Sequence, residues 1–213
     1  MKSKAAVKRI IERLRTLYPD ALCSLQYEKD YELLFAVRLS AQCTDARVNQ
    51  VTPELFRRFP TLESFAQASC EDVGEVIRSC GFYNTKARDL VECAKVLLER
   101  HGGIVPDTME ALTALPGVGR KTANLILGDV YGKPAYVCDT HCIRITGRLG
   151  ITDGSTDPLR VECQLREIIP GSESSGFCHR MVLHGRALCM ARKPDCSHCP
   201  LLSDCDFGKK RET

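Results

Sequence analysis

The sequence predicts an all-α protein built as two helical domains. Three observations carry that reading. Apolar residues recur at three- and four-residue spacings along most of the chain. Helix caps and breakers punctuate those runs. Strand signals are nearly absent, since Ala135 to Cys138 is the one extended stretch and cannot make a sheet alone. Of 213 residues, 44% are hydrophobic and 27% charged, which is the balance of a globular chain with a real core, not a disordered one. The net charge of +3 is a weak pointer to an anionic partner.

Val7, Ile10, Ile11, Leu14 and Leu17 form one face of an amphipathic first helix. Tyr31, Leu34, Phe35 and Val37 to Leu39 form a second, more fully buried one. Asp45 to Phe59 is a third, with an interruption expected at Pro53. Thr61 and Ser69 each cap a short helix, and Ser69 with Asp72 approximates a capping box. Thr85 to Arg100 is a long helix ended by Gly102 and Gly103. Thr108 starts a short helix that stops near Pro116, and Arg120 to Val130 follows. Asp139 or Thr140 begins another, closed by Gly147 to Gly150. Asp157 and Pro158 are an N-cap and first-turn pair, and Ser175 to Cys189 is the last long helix. Tyr131 to Pro134 reads as a linker, which sets a domain boundary near 133, and the first helix is expected to pack with the C-terminal half.

Four cysteines close the chain as C-x6-C-x2-C-x5-C: Cys189, Cys196, Cys199 and Cys205. Soft sulfur donors select zinc or an iron–sulfur cluster, and four cysteines suffice for a [4Fe–4S] cube. The last gap fits poorly with the paired C-x2-C units of zinc modules, so the cluster is favoured over zinc. Pro194 and Pro200 suit a stiff loop. A set of merely buried thiols is the plainer reading, and it leaves their crowding beside Arg192, Lys193, Asp195 and Asp204 unexplained. The other nine cysteines are scattered singly and read as small buried hydrophobes in a reducing compartment. Met1 to Arg15 is basic and lacks the apolar core of a secretion signal, and no apolar run approaches the ~20 residues that cross a bilayer. A cytoplasmic protein without membrane contact is expected.

Leu115-Pro-Gly-Val-Gly-Arg-Lys-Thr-Ala123 lies between two helical patterns. Gly117 and Gly119 leave backbone N–H groups uncovered, and the positive end of the next helix faces the same spot, so a phosphate oxygen can dock there. Such a grip holds a nucleic-acid backbone without reading bases. It is no nucleotide-binding P-loop, because neither the glycine spacing nor a preceding strand is present. A tight turn without ligand is the alternative.

This string resembles the helix–hairpin–helix of the endonuclease III family of DNA glycosylases. Val137-Cys-Asp-Thr-His141 is similar to that family's catalytic aspartate segment, and the terminal cysteine spacing to its [4Fe–4S] pattern. Leu39-Ser-Ala-Gln-Cys-Thr-Asp45 and Gly81-Phe-Tyr-Asn-Thr-Lys86 match as well, so the resemblance runs from about residue 20 to Cys205. It implies a six-helix domain over 23–133 holding the hairpin at about 109–128, a cluster domain of 1–22 with 134–213, and a catalytic cleft between them.

Lys121 falls in the first turn after the hairpin, where the helix end and Arg120 both disfavour an ammonium, and partial burial would add to that. A neutral amine there can form a Schiff base, whereas on position alone a surface lysine touching phosphate serves equally well. Asp139 is an ordinary N-cap by position; the resemblance makes it the carboxylate that helps activate the amine and steadies positive charge on the sugar. His141 is expected to support local structure. The resemblance also makes Gln42 and Phe82 the wedges that fill the hole left by a flipped base. Their plain alternatives are a helix cap for Gln42 and a core position for Phe82, where the family usually has leucine. Arg192 and Lys193 resemble the family's phosphate-contacting loop residues, or are simply solvated charges.

The implied protein is a bifunctional glycosylase and abasic-site lyase of base excision repair. It would act on double-stranded DNA with oxidised pyrimidines such as thymine glycol, as a monomer, in a prokaryotic, nucleoid-associated setting. Lys121 argues against the adenine-type mismatch glycosylase branch, which usually has a serine-like residue there. A non-enzymatic DNA-binding module needs the glycines but neither Lys121 nor Asp139, and an iron–sulfur electron carrier has no use for the hairpin. Cys43, Cys138 and Cys142 depart from the family close to the chemistry and suggest sensitivity to oxidation.

Overall fold

The computed structural model describes residues 1–212, and among them there is no strand. The chain divides into two compact units, Cys23–Tyr131 and Met1–Leu22 with the segment from Gly132 onward. No helix among the described residues is long and apolar enough to cross a membrane.

The central unit holds α2 (Asp30–Leu39), α3 (Asp45–Arg58), α4 (Leu62–Gln67), α5 (Cys70–Val76), α6 (Tyr83–His101), α7 (Met109–Thr113) and α8 (Arg120–Asp129), with a 3-10 turn at Arg78–Cys80. These are the seven α-helices that the caps and periodicities predict, one more than the six implied by the resemblance. Ala68 turns extended, and the Ser69 hydroxyl then accepts from the Asp72 N–H at 3.0 Å and donates to its carboxylate at 2.7 Å, which starts a separate helix. Pro53 does not interrupt α3. Proline deprives the Asn49 carbonyl of one helical hydrogen bond. Val48, Val51, Thr52 and Leu55, all buried, hold the helix on both sides of the gap. The core is aromatic at its centre: Phe65 is fully buried, 4.9 Å from the Phe35 ring and 5.3 Å from that of Phe59. The 19-residue α6 is the spine on which α4, α5 and α2 pack.

Arg38 on α2 and Asp89 on α6 form an ion pair, with Nη2 to Oδ2 at 2.6 Å and Nε to Oδ2 at 2.8 Å. Lys86 on α6 is 1% exposed, and its ammonium donates to the carbonyls of Leu39 at 2.8 Å and Cys80 at 2.9 Å. Burial lowers the pKa of this lysine.

The terminal unit holds α1 (Lys4–Leu17), α9 (Thr140–Leu149), α10 (Pro158–Ile168), α11 (Ser174–Ala187) and α12 (Asp206–Glu212). Val7, Ile10, Ile11 and Leu14 are the buried face of α1, which packs on α11. The buried Asp204 carboxylate ties α1 to the cysteine-rich tail by accepting from Arg9 at 3.0 Å and Arg13 at 3.1 Å. Ala135–Cys138 is a buried extended segment, pinned by the Ala135 N–H to Ser174 Oγ (3.0 Å) and by the Tyr136 hydroxyl to the Ile169 carbonyl (2.7 Å). The nine scattered cysteines are not uniformly inside. Cys80, Cys93, Cys138, Cys142 and Cys178 are buried, Cys23, Cys43 and Cys70 are half-buried, and Cys163 is exposed.

Replacing Phe65 by alanine removes the ring on which Phe35 and Phe59 converge. The expected cost is about 3–5 kcal/mol, read as a lower midpoint in chemical denaturation.

Candidate active site

The turn between α7 and α8 is shaped by its glycines in two different ways. Gly117 has φ +73°, and a Cβ there would lie 2.8 Å from Arg38 Nε and 2.9 Å from Asp89 Oδ2. Its backbone therefore rests on the Arg38–Asp89 ion pair, a position open only to glycine. Gly119 has an ordinary extended conformation and open space where a Cβ would stand. It begins α8 without a side-chain cap. Leu115 and Val118 are buried and anchor the turn, while Gly117, Gly119 and Arg120 are exposed. An uncapped, ten-residue helix with glycine at its mouth gives an anion direct access to backbone N–H donors.

Lys121 is on the first turn of that helix, and its side chain is exposed, not partly buried. Asp139 belongs to the terminal unit. Its Oδ1 accepts from the Cys142 N–H at 2.7 Å and so caps α9. One carboxylate oxygen is committed to that bond, and the residue remains half-exposed. His141 shares its Nδ1 with Arg144 Nη2 at 3.1 Å and lies against Gly185 of α11, where a Cβ would strike its ring.

Gln42 and Phe82 are the two non-glycine residues with positive φ among those described, at 56° and 48°. A left-handed backbone costs such residues roughly 1–2 kcal/mol. Both are exposed, Phe82 at 68%, so neither gains core packing in return. Phe82 is therefore not a core position, and the caps of the helices flanking Gln42 are Ser40 and Thr44. Phe82 stands where α6 begins, after Gly81 at φ +70°. Lys86 bonds the carbonyl ends of the segments leading into both positions, Leu39 before Gln42 and Cys80 before Phe82. Sequence reasoning did not single out Lys86. The available signal was a lysine on the same helical face as Ala87, Leu90 and Val91.

Cys189, Cys196, Cys199 and Cys205 all line one small pocket, together with Arg148 and His184. Burial raises the thiol pKa of Cys199 and Cys205. Among the described residues no group of three or more histidine, cysteine or acidic side chains is arranged around a single metal ion. Arg148 fixes the loop by donating to Cys189 Sγ (3.3 Å) and to the carbonyls of Met190 (2.8 Å) and Ala191 (2.7 Å). Arg144 reaches the Cys189 carbonyl at 2.9 Å. His184 lies 3.6 Å from Cys199 Sγ and 3.2 Å from the Tyr18 hydroxyl, and burial pushes its pKa down to about 4. Arg192 and Lys193 are exposed at the outer edge of the same loop.

A family model described as HhH-GPD superfamily base excision DNA repair protein matches residues 35–171. Endonuclease III of Synechocystis is 44% identical over 203 residues, which are 95% of this chain and 92% of that protein. Endonuclease III of Escherichia coli K12 is 38% identical over 208 residues, 98% of each. The structure is similar to that of a trapped endonuclease III–DNA covalent intermediate, an estranged-adenine complex, with TM-score 0.94, 41% identity and complete coverage of both chains. A non-covalent endonuclease III–DNA complex gives TM-score 0.93 at 42% identity, covering 100% of this chain and 99% of that one. With these matches along nearly its whole length, the chain belongs to the endonuclease III family within the HhH-GPD superfamily of base excision DNA repair proteins.

Proposed function

We propose that this protein is a bifunctional DNA glycosylase and abasic-site lyase of base excision repair, acting on oxidised pyrimidines in duplex DNA. The observation that carries the reading is an exposed lysine, Lys121, in the first turn of an uncapped helix, in a chain similar over its full length to an endonuclease III trapped covalently on DNA. Phosphate held at Gly117 and Gly119 brings the sugar to that helix end. DNA contact would also strip water from the amine, which the folded chain alone leaves solvated. A cytoplasmic, nucleoid-associated role suits such an enzyme.

The lesion nucleotide leaves the stack, and Gln42 and Phe82 occupy the vacated space. Their strained backbones are over-determined by Lys86 below them, as expected where a side chain must stand out from the surface. The Lys121 nitrogen bonds to C1′ as the glycosidic bond breaks and the base leaves. Asp139, held by the α9 N-terminus, offers a fixed negative charge to the developing positive sugar. The sugar ring opens to an imine, which acidifies the C2′ proton. Loss of that proton and of the 3′ phosphate oxygen is the β-elimination, and water then frees Lys121.

The four tail cysteines fit a [4Fe–4S] cluster. They are four soft donors lining one shared pocket, and their C-x6-C-x2-C-x5-C spacing suits a cluster better than zinc. Such a cluster would supply rigidity to the loop that presents Arg192 and Lys193 to phosphate, and Arg148 would steady it through Cys189.

Borohydride is expected to trap a covalent complex with abasic-site DNA, and Lys121→Ala to abolish it. A trap that survives the substitution assigns the nucleophile elsewhere. Asp139 separates two jobs. Asn caps a helix about as well as Asp, whereas Ala costs ~1 kcal/mol. Asp139→Asn should keep the denaturation midpoint, Asp139→Ala should lower it, and both should lose single-turnover base release. Gly119→Ala should weaken duplex binding with a stability change within about 1 kcal/mol, while Gly117→Ala should destabilise by more than that. Parallel titration and denaturation of the two variants checks this.

A further inference from the structure

His184 is a buried polar side chain that the reaction does not use. It lies in the last turn of α11 and is 1% exposed. Its ring joins two distant parts of the terminal unit. Nδ1 is 3.2 Å from the Tyr18 hydroxyl, and Nε2 is 3.6 Å from Cys199 Sγ. Tyr18 ends α1, with its N–H on the Leu14 carbonyl at 2.9 Å. Its ring meets that of His184 edge-on, with centroids 6.0 Å apart. The His184 backbone grips another of the four tail cysteines, since its carbonyl accepts from the Cys189 N–H at 2.9 Å. One residue thus holds the first cysteine of the tail by its backbone and meets the third with its ring.

We propose that Tyr18 and His184 form a hydrogen-bond relay that donates to Cys199 Sγ and raises the reduction potential of the iron–sulfur cluster. The proposal rests on the cluster assignment made above. A cysteine bound to iron is a thiolate and carries no proton. Its sulfur can only accept, so Nε2 must carry the hydrogen. In a neutral imidazole the other nitrogen is then an acceptor, and the Tyr18 O–H donates to Nδ1. The tyrosine thereby fixes the tautomer of the histidine, and the packing of α1 on α11 holds the tyrosine in place.

The direction of the effect follows from charge. An N–H on a ligating sulfur draws electron density from the cluster and binds more strongly as that sulfur becomes more negative. Reduction adds negative charge, so the bond favours the reduced form of a one-electron couple and the potential rises. Water has no access to replace the donor, because His184 is closed to solvent. Two further donors reach the tail sulfurs: Arg148 Nη1 to Cys189 and the Gly208 N–H to Cys205, each at 3.3 Å. Arg148 also holds the Met190 and Ala191 carbonyls, and the Gly208 donor belongs to the backbone. The His184 ring is different, since substitution removes its donor and leaves its carbonyl in place for Cys189. A histidine that served only to fill the core would leave the potential unmoved.

The test is the midpoint potential of the cluster in the holoenzyme, measured at an electrode for the unaltered chain, His184→Leu, His184→Gln and Tyr18→Phe. Leucine keeps bulk and removes the donor. Its potential should fall by roughly tenfold in the one-electron equilibrium constant, ~59 mV. Glutamine carries an N–H that can reach the same sulfur and should restore most of the loss. Tyr18→Phe frees the tautomer and should shift the potential in the same direction by less. Equal potentials in the unaltered chain and His184→Leu overturn the proposal. A glutamine variant as low as leucine makes the effect one of packing and overturns it too. Should His184→Leu fail to fold or to hold iron, Tyr18→Phe carries the test, and an unshifted or raised potential there overturns the relay. Iron and sulfide content is measured on the same samples. An unaltered chain without iron overturns the cluster assignment and this proposal together, whereas full iron with unshifted variants overturns this proposal alone. Failure of the lyase assignment would appear in the borohydride trap and leave the potentials readable.

Discussion

A buried ammonium on two main-chain carbonyls is the constraint on which the Gln42 and Phe82 loops of the central unit depend. Lys86 is among the largest fully buried side chains, in the company of Phe35, Phe65 and Leu90. An unpaired charge there would be prohibitive. It survives because the Leu39 and Cys80 carbonyls end a helix and a 3-10 turn, where the backbone already presents negative partial charge. The lysine thereby closes two helix ends with one side chain. It also ties together the two loops that carry Gln42 and Phe82. The strain at Gln42 and Phe82 is affordable only because those loop bases cannot relax.

The hairpin obeys the same economy. The Arg38–Asp89 ion pair lies under Gly117 and replaces the packing a side chain would give, while Gly119 two residues later faces open space. One glycine is required by what lies beneath it, and the other leaves the mouth of α8 open to solvent. In the terminal unit, Arg144 and Arg148 of α9 hold the carbonyls of Cys189, Met190 and Ala191, and Asp139 caps the same helix. A single helix therefore carries the carboxylate at one end and steadies the cysteine loop along its length. Deletion of either arginine would be felt through backbone position before charge.

Local signals were legible wherever one side chain settles one backbone group. Thr61, Ser69, Thr108 and Asp157 each accept from the expected N–H, and Gly102 and Gly150 take the left-handed caps. Where the outcome depended on neighbours, the reading fell short. Pro53 sits inside α3 because buried residues on either side outweigh one lost hydrogen bond. Helix α12 gave no apolar period in its few residues and was not anticipated. Lys121 is exposed, so the burial that would further disfavour its ammonium is absent in the folded chain; burial is a property of what surrounds a helix end and not of its sequence.

By itself the sequence determined the helical class, the caps, the glycine hairpin and the four-cysteine tail, because each rests on a short-range rule linking residue type to backbone or ligand chemistry. Only the tertiary structure decided that Lys86 is a buried strut, that Gly117 rides on Arg38 and Asp89, and that Arg148 reaches the Cys189 sulfur. Those facts join residues tens of positions apart, and no periodicity or propensity records which distant carbonyl, carboxylate or thiol a side chain will meet once the core has closed.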